Sequence, residues 1–245
     1  MGRALAFSYG ILSYIVFFLT FLYAIGFVAN IVVPKGIDSG SPGAFLPSLG
    51  INLLLLTIFA LQHSVMARPG FKLIWKKIIP QPIERSTYVL LSSLALCLIF
   101  FYWQPMARVV WDVSGTPLGL ALVGIYWVGW LIVLSSTFMT SHFDLLGLNQ
   151  VLANLRNREF VAGGFRRVAL YRLVRHPLMT GFLLAFWATP LMSIGHLLFA
   201  VVTTIYVVMA VLLLEEKDLI AELGEDYQSY RREVGPFIPG IGKER

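Results

Sequence analysis

The chain has 245 residues, of which 58% are hydrophobic and 13% charged, with a formal net charge of +6. A soluble domain carries about 25% charged residues, so this chain lacks the polar surface to cover a water-soluble globule, and the bilayer is its expected solvent. The positive charge does not argue for nucleic acid, because it falls in loops where it sets membrane topology first.

Apolar stretches fall at roughly 7–33, 47–66, 87–103, 117–139 and 178–214. A spanning helix needs about 20 such residues, and the first four stretches each predict one span. The first is too long for a secretory leader and no small-residue cleavage site closes it, so it is read as a span. The fifth is too long for a single crossing at about 1.5 Å per residue. Pro190, Ser193, Gly195 and His196 interrupt it, and proline and glycine mark breaks. The expectation there is a helical hairpin over 178–191 and 194–215 with a short first arm. The predicted fold is therefore an all-α, polytopic integral membrane helix bundle in a single membrane domain. It comprises four spans in 1–139, a loop at 140–177, the hairpin at 178–215 and a helical tail at 216–245. The segments 34–46 and 104–116 read as short turns.

The loops differ sharply in charge. Arg68, Lys72, Lys76, Lys77 and Arg85 lie between the second and third apolar stretches. Arg156, Arg158, Arg166, Arg167, Arg172 and Arg175 lie between the fourth and fifth, and Lys217, Arg231, Arg232, Lys243 and Arg245 in the tail. The other two loops hold only Lys35 and Arg108. Basic loops stay cytoplasmic, so 67–86, 140–177, the tail and the Arg3 end are expected on that side. Within 140–177, the stretch from Asn149 to Arg156 has Val151, Leu152 and Leu155 at helical spacing. The single cysteine, Cys97, lies in the third stretch without a disulfide partner or metal-ligand spacing, and no metal site is predicted.

Ionisable groups flanking membrane-length segments are costly to place and read as functional by default. The last third carries such a set in order: Arg175-His176-Pro177, then Gly181, then Glu215-Glu216 at the end of the apolar run, then Tyr227 and Tyr230, then Pro236 and Pro239. Read singly, each has an ordinary explanation. Glu215-Glu216 fits a solvated helix exit, His176 a loop histidine, and the tyrosines headgroup anchors. Together they resemble the membrane methyltransferases of the isoprenylcysteine carboxyl methyltransferase and phospholipid methyltransferase group. That resemblance implies S-adenosylmethionine as cosubstrate, held by Arg175, His176, Pro177, Gly181, Glu215, Glu216, Tyr227 and Tyr230. No glycine-rich βα turn of the dinucleotide-binding type is present.

A second polar set lies in the first two thirds of the chain: His63, Arg85, Tyr88, His142 and Asp144. By the charge-derived topology all five reach the cytoplasmic side, whereas Trp103 and Gln104 do not. Helix capping and headgroup contacts are the plainer alternative for these residues. With Gln62-His63-Ser64, Met66-Ala67-Arg68, the Trp75 segment, Glu84 to Tyr88, Trp103-Gln104-Pro105 and His142-Phe143-Asp144, the chain resembles the bacterial methanethiol S-methyltransferases over about 60–240. That family is in turn similar to NnrU-type membrane proteins. The resemblance implies a small thiol substrate, a bacterial inner-membrane location and an active site facing the cytoplasm.

The chemistry implied is attack of a thiolate on an activated methyl group. His142 oriented by Asp144, or else His63, is the expected proton acceptor, with Arg85 or Arg175 stabilising the thiolate and Tyr88 completing the pocket. Other readings stay open at this point. One is a prenyl-cysteine or phospholipid acceptor, another a sterol-type reductase, and a third a non-catalytic partner of a nitrogen-oxide or haem system.

Overall fold

The computed structural model describes residues 2–164 and 167–243; Arg166 and Arg245, counted above among the basic residues, lie outside them. The elements in chain order are helices α1 (Arg3–Ala29), α2 (Phe45–Ala67), α3 (Pro69–Trp75) and α4 (Glu84–Tyr102), then strand β1 (Val109–Asp112). Next come helices α5 (Pro117–Met139), α6 (His142–Leu145), α7 (Leu148–Leu155) and α8 (Pro177–Trp187), then strand β2 (Leu191–Ser193). Helices α9 (Ile194–Ala210), α10 (Glu216–Leu223) and α11 (Glu225–Glu233) complete the chain. Among the described residues, five helical stretches are long and apolar enough to cross a bilayer: α1, α2, Gln81–Tyr102, α5 and Ile194–Leu223. The protein is a polytopic helical membrane protein, and its contacts divide it into two compact units, 1–108 with 141–162 and 109–140 with 163–245.

In the first unit, α4 packs against α1 and α2, and α7 lies along α1. Tyr9 Oη donates to Thr87 Oγ1 at 3.0 Å, tying α1 to α4. A Cβ on Gly10 would come within 2.6 Å of a Val151 methyl group, so glycine there is what admits α7 to this distance. Val151 packs with Ala6 and Ile83 in a small core. The amphipathic stretch expected from Asn149 onward is α7.

The second unit is built on the close crossing of α5 and α8. A Cβ on Gly181 would lie 2.6 Å from the Gly129 carbonyl oxygen, and one on Gly129 would lie 2.7 Å from the Gly181 oxygen. Small residues at such a crossing let two backbones approach where lipid offers no hydrophobic driving force between helices. The first arm of the expected hairpin, α8, ends at Trp187 instead of near 191. Eleven residues span about 16 Å, too little to cross the membrane core. Ser193 caps α9 by accepting from the His196 N–H at 3.0 Å.

Two features depart from the sequence reading. The segment 104–116, read as a turn, contains β1, which pairs antiparallel with β2 (Val109↔Ser193, Trp111↔Met192, Asp112↔Leu191). Each strand is too short to carry a periodicity of its own. The last long helix does not stop at residue 215; α9 passes through one π-helical turn, Val211–Glu215, and continues as α10 to Leu223. Gly224, at φ +60°, ends it as expected. The stripe Leu219, Ile220 and Leu223 then packs on Tyr227, Tyr230 and Val234 of the following helix and turn.

Candidate active site

Pro177 occupies the first turn of α8, where its missing N–H costs no helical hydrogen bond. It holds His176 in a non-helical conformation (φ −124°, ψ 63°). The segment before it runs beside the tail: Val174 bridges Gly235 in parallel. Arg175 N–H donates to Gly235 O at 2.8 Å, and His176 N–H donates to Pro236 O at 3.0 Å. Thr180 Oγ1 fixes the same tail strap by donating to Phe237 O at 2.9 Å. The closing proline segment is thus sewn to the Arg-His-Pro motif through backbone bonds.

Glu216 is fully buried at the centre. Its Oε1 accepts from Arg175 Nε at 2.7 Å and lies 3.1 Å from His176 Nε2. Its Oε2 faces Arg231 Nε at 3.2 Å. Tyr227 Oη lies 3.5 Å from both Glu216 Oε1 and His176 Nε2. Arg175 also donates to Val234 O and, at 3.2 Å, to Arg231 O. A buried carboxylate is tolerable only when paired and hydrogen-bonded to this degree. Glu215 differs completely: its side chain is 44% exposed, and its Oε1 stands 3.8 Å from His176 Nδ1. The π-helical turn ends at this pair, and such turns recur at functional sites because they re-aim side chains.

The tyrosines of α11 close the cluster. Tyr230 Oη donates to Tyr171 O, and Arg167 lies 4.8 Å over its ring. Burial, assisted by Tyr171, pushes the Tyr230 hydroxyl up to about 12. Burial and the neighbouring Glu216 carboxylate raise Tyr227 above the ordinary tyrosine range as well. Both are protonated donors at neutral pH.

Of the residues expected to hold the cosubstrate, Arg175, His176, Glu216 and Tyr227 therefore meet around one carboxylate, with Glu215 beside His176. Pro177 sets the helix start, Tyr230 anchors the helix that carries Tyr227, and Gly181 faces α5. Arg231 completes the Glu216 clamp and was not singled out in the sequence. Its one signal there is its position beside Tyr230.

The first unit holds the second polar set. Tyr88 Oη lies 2.9 Å from His63 Nε2, and Ser92 Oγ lies 3.2 Å from His63 Nδ1. Phe59 stacks on the imidazole with centroids 5.3 Å apart. The Arg85 guanidinium sits 5.4 Å from the Tyr88 ring centre and donates from Nε to Leu145 O at 2.8 Å. Arg85 thus links the His63–Tyr88 pair to the short helix α6.

His142 opens α6 and hydrogen-bonds Tyr14 Oη through Nε2 at 3.1 Å; burial lowers its pKa below the usual histidine value. Asp144 turns its Oδ1 to Asn149 Nδ2 at 2.5 Å. His142 thus bonds Tyr14, and Asp144 bonds Asn149. Tyr14 is a partner the sequence did not mark, because one tyrosine in an apolar helix reads as lining. Gln104 and Asn52 exchange two hydrogen bonds, each 2.8 Å, and serve the joint between α4 and α2.

Fold and site together define a polytopic membrane protein with a buried Arg–His–Glu–Arg cluster at the end of its last long helix. The chain is 54% identical to methanethiol S-methyltransferase 2 of Bradyrhizobium diazoefficiens, over 97% of this chain and 91% of that protein. It is 50% identical to methanethiol S-methyltransferase of Mycobacterium tuberculosis, over 98% of each. Nurim of Rattus norvegicus is 30% identical over 68% of this chain and 66% of its own length. No family model and no solved structure matches. The chain belongs to the methanethiol S-methyltransferase family.

Proposed function

We propose that this chain transfers the methyl group of S-adenosylmethionine to the sulfur of methanethiol, releasing dimethyl sulfide and S-adenosylhomocysteine. The observation that carries this is identity of about half the residues over nearly the whole chain to proteins named for that reaction. No observation favours a lipid, prenyl-cysteine or haem-linked reading.

The residues present suit a sulfonium methyl donor. An α-ammonium group needs a carboxylate with free capacity. Glu216 has its oxygens committed to Arg175, His176 and Arg231. Glu215 is the partly exposed member of the pair. We therefore assign the ammonium contact to Glu215, and to Glu216 the task of holding Arg175, His176 and α11 in place. The donor supplies an activated methyl group. The protein must orient the sulfur nucleophile, exclude water and accept a proton.

The thiolate is the reactive form, and an ordinary thiol has a pKa of about 8.5. His63 takes the thiol proton in this reading, because Tyr88 and Ser92 orient its ring, and the Arg85 cation against Tyr88 stabilises the thiolate. The sulfur lone pair forms the new C–S bond as the sulfonium C–S bond breaks, leaving a neutral sulfide. His142, paired with Tyr14, is the alternative acceptor. Methanethiol offers no polar handle beyond its sulfur, so selectivity rests on pocket size. The basic segments support a site facing the cytoplasm in a bacterial inner membrane.

The test is headspace gas chromatography on the purified protein in detergent with S-adenosylmethionine and methanethiol. Dimethyl sulfide above a His176→Ala control is the expected result. Its absence, with calorimetric binding of S-adenosylmethionine retained, would move the acceptor to another chemical class.

A further inference from the structure

The segment Arg68–Ile79, comprising α3 and the turn after it, is unlike the other loops. It follows α2 after a single extended residue, Arg68, which lies between the two helices. It carries Arg68, Lys72, Lys76 and Lys77, and no acidic residue occurs between Asp38 and Glu84. Three of its apolar side chains point away from the protein: Leu73 is 69% exposed, Ile74 62% and Ile78 69%. Lys76 and Lys77 are exposed beside them, and Trp75 stacks on Phe71 at 5.4 Å. The segment is nevertheless held. Ile79 packs on the Ala6–Ile83–Val151 core, and α3 continues through Lys76 N–H to Lys72 O at 3.0 Å.

Three exposed aliphatic side chains among four cations, directly after a membrane-spanning helix, cannot be explained by water as the only neighbour. A short helix with this composition lies in the plane of the interface, its apolar residues below the headgroups and its lysines at the phosphates. Four basic residues immediately beyond a span match anionic rather than zwitterionic headgroups. Tryptophan prefers that depth.

We infer that Arg68–Ile79 is a docking platform for anionic phospholipid, with Leu73, Ile74 and Ile78 inserted among acyl chains and Lys76 and Lys77 on the headgroup phosphate. The inference rests on membrane insertion alone and stands apart from the reaction catalysed. Each lysine near an anionic surface contributes about a fivefold preference.

The test uses the full chain in phosphatidylcholine nanodiscs doped with acyl-brominated phosphatidylglycerol. The fluorescence difference between wild type and Trp75→Phe isolates the Trp75 signal. Half-maximal quenching of Trp75 is expected at a far lower mole fraction of brominated phosphatidylglycerol than of brominated phosphatidylcholine. Lys76→Gln with Lys77→Gln is expected to raise that fraction by roughly tenfold or more, whereas Lys76→Arg with Lys77→Arg preserves it. Equal quenching by the two lipids, or a preference that survives neutralisation of both lysines, would overturn the proposal. So would displacement of the brominated lipid by millimolar glycerol phosphate, which would make this a soluble-phosphate site.

Discussion

Arg175 donates to Glu216 Oε1 at 2.7 Å with both side chains closed to solvent, while Glu215, one residue earlier, remains partly open. The two carboxylates adjacent in sequence thus have unlike chemistry. Glu216→Gln leaves the buried Arg175 and the half-buried Arg231 without their counter-charge, which costs about 3–5 kcal/mol. A large drop in thermal unfolding temperature and in detergent-stable yield is expected. Glu215→Gln should leave the unfolding temperature in place and raise the KM for S-adenosylmethionine. If Glu215→Gln left the KM unchanged, the ammonium contact assigned here would be wrong.

Much of this cluster was readable before the fold was known. Proline after His176 fixes a helix start, and an acidic pair at the end of an apolar run has few inexpensive environments, so those residues declared themselves. The five membrane-length helices were equally legible, because hydrophobic length is a local property. What could not be read depends on contacts distant in sequence. Arg231 reaches Glu216 only because α11 folds back after Gly224. The β1–β2 pairing joins residues about 80 apart through strands of four and three residues. The Asp144–Asn149 bond and the Tyr14–His142 bond join partners that no motif in the sequence connects. The π-helical turn adds a residue to the helix phase and leaves no mark in the periodicity.

Gly181 tests the separation of packing from binding. Its absent Cβ makes room for the α5 backbone, and a methyl group there would stand 2.6 Å from Gly129 O. Gly181→Ala forces a backbone shift at the crossing and should destabilise by about 1–3 kcal/mol. Thermal unfolding would fall, and in the fraction that remains folded the KM for S-adenosylmethionine would hold. A selective rise in that KM at unchanged unfolding temperature would instead place Gly181 against the cosubstrate.

Stability should fall at both ends of the pH range for identifiable reasons. Burial lowers the His142 pKa, so the folded state disfavours its proton. The stability this contributes is present above the unfolded value of about 6.5 and is lost as pH falls through the lowered folded value. For Tyr230 the sign reverses. Its hydroxyl holds its proton up to about 12, so its contribution is complete below the unfolded value of about 10 and lost as pH rises from there. Unfolding scans from pH 5 to 12 on wild type, His142→Gln and Tyr230→Phe should show the acid slope shallower in the first variant and the alkaline slope shallower in the second. Tyr230→Phe should also cost about 1 kcal/mol at neutral pH through the lost bond to Tyr171 O. Slopes unchanged in both variants would assign the pH dependence to other groups.

The assignment of the proton acceptor separates His63 from His142. His63 has an orienting hydroxyl on each ring nitrogen, from Tyr88 and Ser92, and a cation against Tyr88. His142 has Tyr14 on Nε2, and Asp144 Oδ1 accepts from Asn149. General-base contributions run to about 10²–10⁴ in rate. His63→Ala should therefore lower dimethyl sulfide formation at neutral pH by that order while calorimetric affinity for S-adenosylmethionine stays within about twofold. Raising the pH toward 9 populates thiolate without a base, so the deficit of His63→Ala should shrink there, a recovery that a packing defect would not give. Tyr88→Phe loses only the orienting bond and should fall less than His63→Ala. His142→Ala should keep most turnover at neutral pH. The reverse ranking, with His142→Ala disabled and rescued at high pH, would move the base to α6, and full turnover in both variants would mean that neither histidine takes the proton.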